Sequence, residues 1–189
     1  SFLSLNNTFK QVRTYKETLK FLLARLVYND ALITVFAFGG IYAKEVFNFT
    51  FNEIFLFGII LNVTAGIGAF LMGFLDDKLG GKKTIQLSNY GYIVACLLAV
   101  VSPSIDQIFI FKAIGINGEL VFWISGVLIG IFSGPNQSAS RSLMGRLTPS
   151  NKKNEFFGFY AFSGKATAFL GPLLFSAVVS ITGSLRYGL

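Results

Sequence analysis

The chain has 189 residues and a formal net charge of +7, with 53% apolar and 13% charged residues. Soluble domains carry about 25% charged residues, so this apolar excess, with its 22 Phe, asks for lipid rather than water around the fold. With no His and a single Cys96 inside an apolar run, histidine catalysis, most zinc sites and a disulfide framework are excluded.

Residues 1–20 interleave Phe2, Leu5, Phe9, Val12 and Leu19 with Lys10, Arg13, Lys16 and Lys20, the pattern of a polar, partly amphipathic helix. They lack the compact apolar core and cleavage site of a signal peptide, and a chain starting at Ser1 reads as a truncated product. A spanning helix needs about 20 apolar residues. Five stretches qualify: Phe21 to Ala43, Phe51 to Leu75, Thr84 to Val101, Gly118 to about Ser140, and Glu155 to Thr182. Ser102-Pro103 is expected to end the third, and Gly134-Pro135 interrupts the fourth. The residues from Ser184 onward read as the beginning of a sixth span.

Basic residues in short loops set orientation. Lys10, Arg13, Lys16, Lys20, Arg25, Lys78, Lys82, Lys83, Arg141, Arg146, Lys152 and Lys153 gather on one side. Only Lys44, Lys112 and Arg186 lie on the other. The first side is expected to be cytoplasmic, with odd-numbered spans running outward. The positive charge is thus a topology signal and not a nucleic-acid footprint.

The turn between the second and third spans reads Gly73-Phe-Leu-Asp-Asp77-Lys78-Leu-Gly80-Gly81-Lys82-Lys83. It resembles the loop signature of the major facilitator superfamily at Gly73, Leu75, Asp77, Lys78, Gly80 and Lys82, and departs from it at Asp76 and Gly81. Gly73 permits close helix approach, Gly80 a tight turn, and Asp77 can accept from a helix N-terminus of a partner half. Lys78, Lys82 and Lys83 anchor the loop at the membrane surface. The resemblance implies a cytoplasmic gate latch; the plainer alternative is a charged reverse turn that only fixes topology.

In the fourth span Gly126, Gly130 and Gly134 recur every four residues, a smooth stripe for close packing, and Pro135 then bends the helix. Asn136, Gln137, Ser138 and Ser140 follow the bend. Such groups at membrane depth either line a cavity or bond to neighbouring helices. Asn62 and Thr64, near the middle of the second span, carry the same two readings. Glu53 and Glu119 lie near span ends and read as solvated, while Tyr42 and Trp123 fit an aromatic belt and the Phe excess fits lipid-facing bulk.

Asp30 and Lys165 each lie about ten residues into a span that starts at the cytoplasmic face, roughly 13–14 Å deep. A charge there costs at least about 2.5–3.5 kcal/mol. Equal depth allows an Asp30–Lys165 ion pair. It serves substrate binding or proton coupling, Asp30 alone being enough for either, or it is a structural salt bridge.

Phe21-Leu-Leu-Ala-Arg-Leu-Val-Tyr28-Asn29-Asp30, Gln137-Ser-Ala-Ser-Arg141, Glu155-Phe-Phe-Gly158, Ser163-Gly-Lys165-Ala and Gly171-Pro172-Leu-Leu-Phe together resemble the vacuole-effluxer branch of that superfamily. The branch includes fungal autophagy-related vacuolar amino-acid exporters and bacterial permeases. The resemblance runs from about Phe9 to Tyr187, with Ala31 where Gly is expected. It implies an all-α membrane protein: a half-bundle of five complete transmembrane helices and the start of a sixth. Residues 1–20 become a cytoplasmic central-loop segment and 21–189 the C-terminal bundle of a twelve-span carrier. It implies alternating access, a small solute with amino acids foremost, a missing N-terminal half as partner, and a bacterial inner membrane as location.

The candidate cavity or coupling residues are therefore Asn29, Asp30, Asn62, Asn136, Gln137, Ser140 and Lys165, with Gly126, Gly130, Gly134, Pro135, Gly171 and Pro172 shaping the helices. No catalytic residues, metal or cofactor are implied. The alternative function is a non-transporting sensor or scaffold built on the same bundle.

Overall fold

A computed structural model describes residues 15–107, 115–166 and 168–188. The predicted amphipathic stretch up to residue 14 and the loop around Lys112 lie outside the described residues. Among the described residues, four helices are long and apolar enough to cross a membrane: α1 (Lys16–Phe47), α2 (Phe51–Leu79), α3 (Gly81–Ile105) and α4 (Gly118–Leu147). After a 3₁₀ turn at Ser150–Lys152, the predicted fifth span is two short helices, α5 (Lys153–Ser163) and α6 (Leu170–Thr182). A 3₁₀ turn at Leu185–Tyr187 follows, where the start of a sixth span was expected.

The connections are short because the caps are local. Asn48 takes the left-handed conformation (φ 57°) that closes α1. Thr50 and Glu53 then form a reciprocal box: the Thr50 hydroxyl accepts from Glu53 N–H, and the Glu53 carboxylate accepts from Thr50 N–H at 2.7 Å. At the other end Gly80 alone separates α2 from α3, at φ 81°, a conformation that only glycine takes without strain.

α4 is the spine. Its glycine stripe meets α2: a side chain at Gly126 would fall on the Phe57 ring, one at Gly130 on Thr64, and one at Gly134 on the carbonyl of Ala65. Gly68 of α2 answers by resting on the Ile131 carbonyl, the acceptor that Pro135 leaves without its helical donor. The backbones approach closely enough that α4 stays helical through the proline.

Pro103 behaves alike. The sequence pattern ends the third helix at Ser102-Pro103, but α3 continues to Ile105. The Ala99 carbonyl that Pro103 cannot serve accepts from the Tyr42 hydroxyl (3.1 Å) and the Ser102 hydroxyl (2.7 Å). Tyr42 is thus a core residue, 0% exposed, and not a belt residue. It stacks with Phe122, which also stacks on Phe57, in a cluster completed by Phe47, Phe49 and Trp123. Part of the Phe excess therefore builds this core. Phe51, Phe55, Phe70, Phe74, Phe162 and Phe169 are exposed and fit the lipid-facing role.

Candidate functional site: the interrupted fifth span

Gly164 and Gly171-Pro172 frame the interruption between α5 and α6. Gly is a weak helix former and Pro172 supplies no amide to Ala168. Between them i→i+3 bonds, Lys165 N–H to Phe162 O (3.0 Å) and Ala168 N–H to Lys165 O (3.3 Å), mix with an i→i+4 bond from Ala166 N–H to Phe162 O (2.8 Å).

α1 holds the freed end of α5. Arg25 lies 3.7 Å above the Tyr160 ring and donates to the Tyr160 carbonyl (2.8 Å) and the Ser163 hydroxyl (3.0 Å). Asn29, one helical turn on, donates to the Gly164 carbonyl at 3.0 Å. A cation at a helix C-terminus also meets the negative end of its dipole. The beginning of α6 rests on the next part of α1: a side chain at Gly171 would fall on the Thr34 hydroxyl, which donates to the Asp30 carbonyl at 2.9 Å.

Asp30 is buried at 8% exposure, and its Oδ1 has no hydrogen-bond partner. Lys165 lies within the interruption and is exposed. The two do not pair, whereas Lys20 pairs with Glu17 (2.8 Å) and Arg146 with Asp76 (3.5 Å).

A second polar layer joins α1, α3 and α4. The Tyr28 hydroxyl lies 2.8 Å from the Ser140 hydroxyl, Ser140 donates to the Asn136 carbonyl (2.6 Å), and the Asn136 amide donates to Asn89 Oδ1 (2.7 Å). A cavity of about 500 Å³ between α1 and α3, lined by Tyr28, Leu32, Asn89, Tyr92 and Val100 among others, meets this layer from one side. One of about 330 Å³, with Glu17, Lys20 and Lys82 in its wall, meets it from the basic end.

The structure therefore brings Asn29, Asp30 and Lys165 to the interruption, and Asn136 and Ser140 to the polar layer. Gln137 is exposed beside them, off the layer. Asn62 stands apart: it is exposed on α2 and donates to its own Gly58 carbonyl (2.8 Å). Thr64 likewise bonds within its helix, to Ile60 O. Sequence reasoning missed Arg25, which it used only for topology, and Asn89 and Tyr28. An arginine five positions before a buried aspartate was the available signal.

In the turn between α2 and α3, Asp77, Lys78, Lys82 and Lys83 are exposed, and Gly73 has open space around it. The buried acid is its neighbour Asp76, at 9% exposure, tied to Arg146 of α4. Its Oδ1 has no hydrogen-bond partner and lies beside Gly81, where a Cβ would stand 3.2 Å from it.

The family described as "Vacuole effluxer Atg22 like" matches residues 1–189. The chain belongs to that family. An uncharacterised MFS-type transporter of Bacillus subtilis, YxiO, is 28% identical over 97% of this chain and 39% of its own length. Autophagy-related protein 22 of Kluyveromyces lactis is 28% identical over 97% of this chain and 37% of its own. The Cryptococcus neoformans protein of that name is 26% identical over 95% and 32%. The chain thus spans about two fifths or less of these relatives. No solved structure matches it. Within the Atg22-like family, this chain is an all-α, multi-pass membrane segment.

Proposed function

We propose that this chain is part of a secondary transporter that moves small solutes by alternating access, with amino acids as the leading class. The relatives' transporter names support the coarse reading. The observation that carries the finer one is the interruption of the fifth span beside Asp30. Broken helices at membrane depth are tolerated where backbone lines a cavity or is buried in protein, and carriers place substrate sites at such breaks.

In this reading the basic ends of α1 to α4 face the cytoplasm of a bacterial cell, and residues 21–189 form one of two rocking bundles. The Gly73–Lys83 turn closes the cytoplasmic side, with Asp77 free to meet the other bundle while Asp76 is held by Arg146. Asn29, Asp30, Asn136, Ser140 and Lys165 bind solute or couple it to protons. Proteoliposomes carrying the full-length protein test this with a labelled amino-acid panel. The expected result is solute movement above that of empty vesicles; no movement of any solute would favour a sensor or scaffold.

A further inference from the structure

The two cavities along α1 and α3 form one groove. Tyr28 and Asn89 line both; the larger continues past Leu32 and Cys96 to Val100, the smaller past Lys20 to Lys82. From Lys82 to Val100, α3 rises about 27 Å, against about 30 Å for the hydrocarbon core of a bilayer. The groove therefore runs nearly the full depth of a membrane. Its wall is apolar and uncovered, with Ile93 at 57% and Leu97 at 59% exposure. Two observations bear on what covers it. Asn89 lies about 12 Å inside the start of α3; it accepts from Asn136 and, among the described residues, donates to nothing. Arg186, in the turn after α6, donates to the Val100 carbonyl at 2.7 Å, which brings the chain leaving α6 to the end of the groove away from the basic residues.

We infer that this groove seats one further apolar helix of the full-length protein, the stretch that follows Tyr187, and that this helix presents a hydrogen-bond acceptor to the Asn89 amide. Acyl chains could fill the apolar wall, but they would leave that amide unmet at a depth where an unmet polar group is costly. A helix satisfies its own backbone and can bring one polar side chain to Asn89. Entering beside Val100, it runs antiparallel to α1 and α3. The connection from α6 is then short, so little loop entropy opposes its docking. The relatives have chain enough to supply such a helix, since this chain spans only 32–39% of their lengths.

The inference goes beyond the transport reading and does not lean on it, since a sensor or scaffold would need the same groove covered. Cys96 on the groove wall is a built-in probe. In the full-length protein, with any other cysteine replaced by serine, single cysteines are walked along the stretch after Tyr187 and cross-linked to Cys96 with a short bismaleimide. Cross-linking within one chain is expected, recurring every three to four positions and strongest near the start of the stretch, because Cys96 lies about 6 Å inside Val100. Asn89 lies about two turns deeper, so the acceptor is expected about seven positions past the most reactive cysteine. The losses of unfolding temperature from Asn89→Ala and from alanine at that polar residue should then fall short of additivity in the double variant; additive losses would overturn the hydrogen bond. Cross-links formed only between two chains would overturn the seat in favour of self-association. Where the cysteine walk expresses poorly, labelling decides. Cys96 should react with a lipid-soluble maleimide at least about tenfold more slowly than Val94→Cys, a site of similar depth that is 53% exposed and off the groove wall. Equal labelling rates would show a groove filled by lipid and overturn the proposal.

Discussion

α4 and the fifth span carry the same punctuation and answer it differently. α4 has Gly134-Pro135 in its middle and remains one helix; the fifth span has Gly171-Pro172 and divides into α5 and α6. Around α4 the neighbour is smooth: Gly68, Ala65 and Thr64 let α2 press against the backbone, and the carbonyl freed by Pro135 is covered. Around the fifth span the neighbour is long and polar. Arg25 and Asn29 reach across from α1 and add donors to the Tyr160 and Gly164 carbonyls at the end of α5. Proline frees a carbonyl in either case, that of Ile131 in α4 and that of Ala168 in the fifth span; the donors from α1 meet instead the carbonyls where α5 stops.

The largest expected effect attacks the smooth side. Gly134→Leu places a side chain on the Ala65 carbonyl, with no flexible neighbour to yield. A destabilisation of about 3 kcal/mol or more is expected, seen as loss of the monodisperse peak and a lower unfolding temperature in detergent. Unchanged thermal stability would show that α2 and α4 are not locked by the stripe.

Next comes the polar side. Arg25→Ala removes two hydrogen bonds from a charged donor and a ring contact, for a loss of about 2–3 kcal/mol. Hydrogen exchange should quicken in residues 160–164 while α4 stays protected. Arg25→Lys should recover only part of this, because a point-like ammonium does not reproduce the guanidinium fork. Asn29→Ala should cost about 1 kcal/mol, with faster exchange confined to the turn after Gly164. If exchange rises equally in α4 and α5, the two regions are one cooperative unit and the contrast fails.

Smaller still, Tyr42→Phe removes one of two donors from the Ala99 carbonyl and should lower stability by about 0.5–1 kcal/mol, read by thermal unfolding. Lys20→Ala should change nothing measurable, since the Lys20–Glu17 pair is exposed on both sides, at 70% and 73%.

Much of the fold was legible in the sequence, because lipid imposes its demand on local composition. Runs of apolar residues between Phe21 and about Ser140 located four spans, each within several residues of the helix ends. The capping pair Thr50 and Glu53 and the lone Gly80 are also local, yet Glu53 read only as a solvated end residue. The divided fifth span was not legible. Glu155 to Thr182 is continuous in hydropathy, and its Gly-Pro step matches the one that α4 absorbs. Tyr42 and the Ala99 carbonyl lie 57 residues apart, so only their meeting shows that α3 can run through Pro103. For the candidate site, the depth of Asp30 and Lys165 came from counting along spans, while their separation and the commitment of Arg25 to α5 did not.

Composition alone determined that this protein lies in a membrane as a set of helices, since no other backbone arrangement fits such a run of apolar residues without β-strand alternation. Tertiary structure decided where those helices stop. A helix end depends on which donor meets each carbonyl, and here Arg25 and Asn29 reach their acceptors from 135 residues away in the chain.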